Sequence, residues 1–273
     1  MPTLQQALAQ AVAAHEPRIS AEVMLARVLG RERSYLYAHP ESELTAEQGA
    51  QWRQWLDRRA AGEPLQHILG GQEFYGRRFS VGPDVLIPRP ETELIVEAAL
   101  ERIPYDQPAR IADIGTGSGC IAVTLALERP RAHVIATDVS LAALTRARDN
   151  AKTLGANVEF YATDLLAGIA GPFDLVVSNP PYLAESELPD LAPEVRDHEP
   201  HVALVAGPEG DEIYRRLIPA ARERLRPGGW LILELGYASA QPVRGLLNPA
   251  AWRQIEIRRD HQGWDRVLQA QAN

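Results

Sequence analysis

The sequence predicts an α/β protein with a mostly parallel sheet, preceded by a small helical domain. Two observations predict it. After Pro108, short apolar runs alternate with stretches of helical periodicity, the pattern of a sheet covered by helices. Before residue 71, apolar residues recur only at helical spacing. The chain has 273 residues, enough for two unequal units with separate cores.

In order along the chain, Leu4, Ala7, Leu8 and Ala11 mark a first helix, and Ala21, Leu25, Val28 and Leu29 a second. Trp52, Trp55 and Leu56 mark another, with both tryptophans expected in a core. Pro17, Gly30, Pro40 and Gly62-Glu63-Pro64 break the run. Thr45 and Gln48 have capping-box spacing at the start of the Trp-bearing helix. Residues 1–71 are therefore read as a helical domain.

Phe74 to Val81 has β-type residues around Gly76, and Val85-Leu86-Ile87 runs into Pro88-Arg89-Pro90. A β-hairpin linker is expected over 72–90. Glu91, Thr92 and Glu93 then sit at the first turn of a helix through Leu94, Ile95, Ala98 and Ala99 and open a third region, 91–273; with Arg89 they either close over a cofactor or cap that helix. Within it the predicted strands are Ile111 to Ile114, His133 to Thr137, Val158 to Ala162 and Phe173 to Ser178. Cys120 to Glu128 is a helix, and Leu141, Leu144, Ala147 and Ala151 mark the next. A long helix from about Glu209 to Arg226 leads through Pro227-Gly228-Gly229 into a strand from Trp230 to Leu235. Arg253 to Arg259 and Arg266 to Gln269 are the last strands.

The balance of 28 Lys and Arg against 36 Asp and Glu gives a net charge of -8, which repels a polyphosphate backbone and argues against a nucleic-acid clamp. Nor has the helical domain a basic excess, with 7 basic residues to 8 acidic. One cysteine, Cys120, cannot make an internal disulfide or a Cys-rich zinc site. Together with an N-terminus that lacks a basic stretch followed by an apolar one, this leads us to expect a cytoplasmic protein with no membrane span. His198 and His201 lack further ligands at recognised spacing, so no metal is expected.

Candidate chemistry begins in the loop Asp113-Ile114-Gly115-Thr116-Gly117-Ser118-Gly119, between a strand and a helix, where open α/β sheets bind ligands. Glycines there let a ligand approach the backbone. Asp138 ends the second strand, where a carboxylate can accept both hydroxyls of a ribose, in a dinucleotide or in S-adenosylmethionine alike. Asp164, with Leu165 beside it, ends the third strand and suits an adenine amino group, while Asp113 can face a cationic methionine end. Three acids at successive strand ends favour a cofactor without phosphates.

Ser178-Asn179-Pro180-Pro181-Tyr182 closes the fourth strand. An amide nitrogen is a poor nucleophile because its lone pair is delocalised. The Asn179 side-chain oxygen and the Pro180 carbonyl can each accept one N–H of an NH₂ group and select against groups lacking those donors. Each proline restricts the residue before it, Pro181 acting on Pro180 and Pro180 on Asn179. Tyr182 can pack over the planar amide. This is an arrangement for methyl transfer to nitrogen by positioning and electrostatics.

With Pro64-Leu65-Gln66-His67-Ile68-Leu69-Gly70, Gln72-Glu73-Phe74-Tyr75-Gly76 and Leu86-Ile87-Pro88-Arg89-Pro90-Glu91-Thr92-Glu93, these motifs make the chain resemble, from Pro64 to Val267, the HemK/PrmC family. Its members are glutamine-N5 methyltransferases that modify peptide chain release factors. The resemblance implies a class I, Rossmann-like, seven-stranded methyltransferase domain dependent on S-adenosyl-L-methionine, with S-adenosyl-L-homocysteine as product. It implies that residues 115 to 119, Asp138 and Asn179 contact the cofactor. Asn179, Pro180, Pro181 and Tyr182 would hold the glutamine of the Gly-Gly-Gln loop of a class I release factor, docked with help from the helical domain. His198 and Gly210-Asp211 depart from the family pattern, which puts local loop packing in question.

Three other readings share some of these features. A ribosomal-protein glutamine methyltransferase would use the same chemistry but differs after the second proline of Ile87-Pro88-Arg89-Pro90. A DNA adenine-N6 methyltransferase would share Asn179 to Tyr182, yet calls for a basic target-recognition domain. A nicotinamide-dependent oxidoreductase would leave that tetrapeptide without a role.

Overall fold

A computed structural model describes residues 1–273 and resolves two compact units. The first is Met1–Gly71 together with Ala192–His198; the second is Gln72–Leu191 with Glu199–Asn273. The short helix Pro193–His198, too brief for any periodicity to reveal, thus clusters with the N-terminal helices although it lies deep in the second half of the chain.

In the first unit, helices Leu4–Ala13, Arg18–Leu29, Arg33–Ala38, Ala46–Ala60 and Leu65–Leu69 enclose Leu4, Met24, Leu25, Leu44 and Trp52. The Thr45 hydroxyl accepts from Gln48 N at 3.1 Å and Gln48 Oε1 from Thr45 N at 3.0 Å, a reciprocal cap. Thr3 and Gln6 make a second one. Buried Glu22 accepts from Tyr37, Arg33 and Arg18, and these bonds hold its carboxyl down at about 2. Arg59 bonds Glu16 at 3.0 Å and Glu194 at 2.8 Å, tying helix Pro193–His198 into the unit.

The second unit opens with a hairpin of β1 (Gln72–Phe74) and β2 (Arg77–Phe79), turned at Tyr75 and Gly76 with positive φ at both. Then follow β3 (Ala109–Ile114), β4 (Ala132–Asp138), β5 (Val158–Ala162), β6 (Phe173–Ser178), β7 (Leu183–Ala184), β8 (Val205–Gly207), β9 (Leu225–Glu234), β10 (Trp252–Arg259) and β11 (Asp265–Ala272). Seven of them form one sheet in the order β10-β11-β9-β6-β3-β4-β5, parallel except for β11, which runs antiparallel to both its neighbours. Strands β7 and β8 pair separately.

Alternate residues of the central strands feed two cores. Ile111, Val134, Leu175, Val177 and Ile232 face one, under helices Glu93–Arg102 and Cys120–Glu128; Ala112, Ile135, Val176, Leu231 and Leu233 face the other, under helix Glu212–Arg224. Burial on both faces explains why these strands read as continuous apolar runs. Strand β9 starts at Leu225, five residues before the expected Trp230, because Leu225 pairs with Phe173 across the Pro-Gly-Gly irregularity.

Candidate active site

Strand register creates the site. Strand β3 pairs with β4 on one side and β6 on the other, so the order reverses there and the crevice opens beyond its carboxyl end. Ile114 is level with both Thr137 and Ser178, and Ser178 with Leu233. The next residues, Gly115, Asp138, Asn179 and Glu234, therefore stand in a row at the carboxyl ends of the four strands.

The first three line a cavity of about 410 Å³, with Thr116, Gly117, Ser118, Asp164, Leu165, Pro180 and Pro181. Thr92 and the chain from Asp84 to Pro88 form another wall. Three residues expected at the site do not line it: Asp113, Gly119 and Tyr182.

Gly115 and Gly117 have φ of 69° and 55°, with nothing near the place a Cβ would occupy, so a side chain there would strain the backbone and intrude on the cavity face. Gly119 has another reason to be glycine. Its φ is 81°, and an added Cβ would stand 3.0 Å from Ala147 Cβ on the neighbouring helix. It permits helix packing rather than ligand approach.

The loop amides are largely committed within the protein. Gly115 N and Thr116 N donate to Thr137 O at 2.8 and 2.9 Å, and Gly117 N donates to Asp138 Oδ2 at 2.9 Å. A pyrophosphate needs such amides free and repels a carboxylate, so the loop fits a cofactor lacking phosphates. Asp138 is fixed further by Ser140 N, which donates to Oδ1 at 2.8 Å, and the remaining lone pairs suit ribose hydroxyls.

Asp113 lies beneath the loop. Its Oδ2 accepts from Thr116 Oγ1 at 2.7 Å and Ala122 N at 3.1 Å, while Oδ1 is buried without a partner. Burial pushes this carboxyl up to about 7, against those two bonds, and Asp138 adds to the rise. Asp164, half exposed, is paired with Arg216, which also lines the cavity. Cys120 is buried, and burial raises its thiol to about 12, so it stays protonated at neutral pH.

On the other side of the cavity, Asn179 Nδ2 donates to Thr92 Oγ1 at 3.2 Å, and Thr92 Oγ1 donates to Glu234 Oε2 at 2.7 Å. Thr92 and Glu234 are each 2 % exposed. The Asn179 bond uses Nδ2 and leaves Oδ1 as its acceptor for the cavity. Ser178 Oγ donates to Ile114 O at 2.7 Å and steadies the strand end beside it. The Tyr182 ring turns toward Gly236, where any Cβ would be 2.7 Å from Cδ2, and burial with nearby Glu234 raises its hydroxyl to about 12.

Asn150, Glu199 and Glu234 are positioning residues that the sequence did not single out. Asn150 accepts from Ser80 N at 2.8 Å and donates to Ser80 O and Ser118 O, joining the hairpin exit to the glycine loop. Glu199 accepts from Ile87 N at 3.1 Å and Arg89 at 2.5 Å, which holds the wall near Pro88. Glu93, expected either to close over a cofactor or to cap its helix, accepts from Tyr75 N at 2.7 Å and does not line the cavity. Only Glu234 left a sequence signal: an acid within the apolar run Trp230-Leu231-Ile232-Leu233-Glu234-Leu235.

Two family models match: the PrmC N-terminal domain over residues 3–70 and the methyltransferase small domain over residues 92–194. A release factor glutamine methyltransferase of Koribacter versatilis is 47% identical over 254 residues, covering 92% of this chain and 90% of its own. Another, of Moorella thermoacetica, is 45% identical over 278 residues, with 98% of each chain covered. Among solved structures, a methyltransferase from Pyrococcus furiosus superposes with a TM-score of 0.54 at 19% identity, over 82% of this chain and 98% of its own. That likeness speaks for the fold.

Proposed function

The chain belongs to the release factor glutamine methyltransferase family, and from that premise we infer that it methylates N5 of the glutamine in the Gly-Gly-Gln loop of class I release factors. S-adenosyl-L-methionine supplies, when bound, an electrophilic methyl on a cationic sulfur. Gly115 to Ser118 and Asp138 are the residues to hold it, with Asp164 and Leu165 toward the adenine end.

Asn179 Oδ1 and the Pro180 carbonyl accept the two N–H groups of the substrate amide and turn its lone pair toward the methyl. A nitrogen methylated in that position would carry one surplus proton, which would pass to solvent water from the N–H held by Asn179 Oδ1 or the Pro180 carbonyl. A site dried by Pro180, Pro181 and Leu217 strengthens both acceptors. The observation that carries this reading is that Asn179 and Asp138 line the same cavity, with Asn179 Nδ2 already engaged by Thr92.

A DNA substrate fits poorly with a net charge of -8. A cytoplasmic location belongs to the same proposal; no helix is long and apolar enough to cross a membrane.

The test is transfer of labelled methyl from S-adenosylmethionine to a purified class I release factor, to the same factor with Ala for the glutamine, and to duplex DNA. Label on the intact factor alone is expected. Equal label on the Ala form, or label on DNA, rejects the substrate. Asn179→Ala should lower turnover by about 10²-fold or more while S-adenosylhomocysteine still binds; turnover like the wild type would reject the amide clamp.

A further inference from the structure

The hydrogen-bond chain Glu234–Thr92–Asn179 has a direction, and that direction fixes which end of the Asn179 amide meets the substrate. A threonine hydroxyl has one proton. If it gives that proton to a carboxylate, it can only accept from its other neighbour. An ionised Glu234 therefore requires Thr92 to receive Asn179 Nδ2, the arrangement to which the contacts of 2.7 and 3.2 Å correspond. A protonated Glu234 can instead donate to Thr92, which then offers its own proton to Asn179. The amide then turns, presenting NH₂ to an NH₂ substrate and removing the acceptor.

Resting on the functional reading above, we propose that Thr92 and Glu234 are positioning residues: ionised Glu234 polarises Thr92, and Thr92 holds the Asn179 oxygen toward the substrate amide. Register supports it, since Ser178 pairs with Leu233 and places Asn179 and Glu234 at adjacent strand ends. Burial supports it too. The carboxylate sits in a nearly closed place, an expensive position for an acid with no task.

Other groups around Glu234 set its charge. Thr92, Arg266 and Arg89 favour the ionised form, while burial above all, and Glu91, oppose it; Tyr182, Tyr214 and Cys120 also face it. The balance raises the carboxyl to about 7, within reach of ordinary assay conditions.

Three measurements test the proposal. Thr92→Val, nearly isosteric but without a hydroxyl, should lose about 10²-fold in kcat while S-adenosylhomocysteine affinity is unchanged, and Thr92→Ser should restore turnover. At saturating cofactor, wild-type kcat should rise with pH around about 7, and Glu234→Gln should flatten that limb. In the free protein, the Asn179 side-chain amide resonances should titrate over the same range and cease to do so in Glu234→Gln. Full activity of Thr92→Val, inactivity of Thr92→Ser, or an acid limb surviving in Glu234→Gln would overturn the proposal. Failure of the wild type to label a release factor rejects the substrate reading instead; the resonance titration still tests the hydrogen-bond chain.

Discussion

Asp113 illustrates how a residue can shape a cavity that it does not line. It bonds the Thr116 hydroxyl and the Ala122 amide from below and so shapes the loop that carries Gly115 and Gly117. Its cost is a buried carboxylate, which raises its folded-state value to about 7 against about 4 in an unfolded chain. Between those values the folded state holds a proton that the unfolded state releases, so stability falls as pH rises through the window. Asp113→Asn should flatten that fall, seen as urea midpoints for the free protein at about pH 5 and about pH 8 that differ less than in the wild type. A slope equal to wild type would mean that Asp113 is ionised throughout. At this scale residue types and neighbours were legible in the sequence, and Asp138, Asn179 and Pro180, singled out there, line the cavity. It could not show that Asp113 points beneath the loop, because the direction of a side chain at a strand end depends on the faces of the sheet.

Among elements, short-range signals were the most legible. Thr45 and Gln48 announced their helix because capping needs only residues three apart. Thr45→Ala should cost about 1 kcal/mol of stability in the helical unit, measured by denaturant unfolding, and Thr45→Ser should cost much less. Strands β5 and β6 fall on the predicted residues Val158–Ala162 and Phe173–Ser178, the second because an apolar run between Pro172 and Pro180 admits few alternatives. The pair β7 and β8 and the helices Pro193–His198 and Ala240–Gly245 were invisible: each is shorter than the window in which a period can be recognised. Gly119 belongs at this scale as well. It reads as part of a ligand loop, but Ala147, 28 positions away in the chain, supplies the reason for it.

At the scale of the whole molecule, binding and folding are linked through the second unit, which contains every residue of the cavity. S-adenosylhomocysteine at about a hundredfold excess over its dissociation constant should stabilise that unit by about 2.7 kcal/mol, visible by calorimetry, while NAD should leave its transition unmoved. Asp138→Ala should remove most of the shift; stabilisation by NAD alone would reject the cofactor. By itself the sequence determined the fold class and the family, and it singled out the glycine loop and the tetrapeptide Asn179 to Tyr182 proposed to hold cofactor and amide, because each rests on residues adjacent in the chain or on a repeating period. Tertiary structure alone brought Thr92 and Glu234 to Asn179 across separations of 87 and 55 positions, and it assigned Pro193–His198 to the helical unit. Those relations follow from strand order and register, which are settled by how whole faces bury against one another and leave no local mark in the chain.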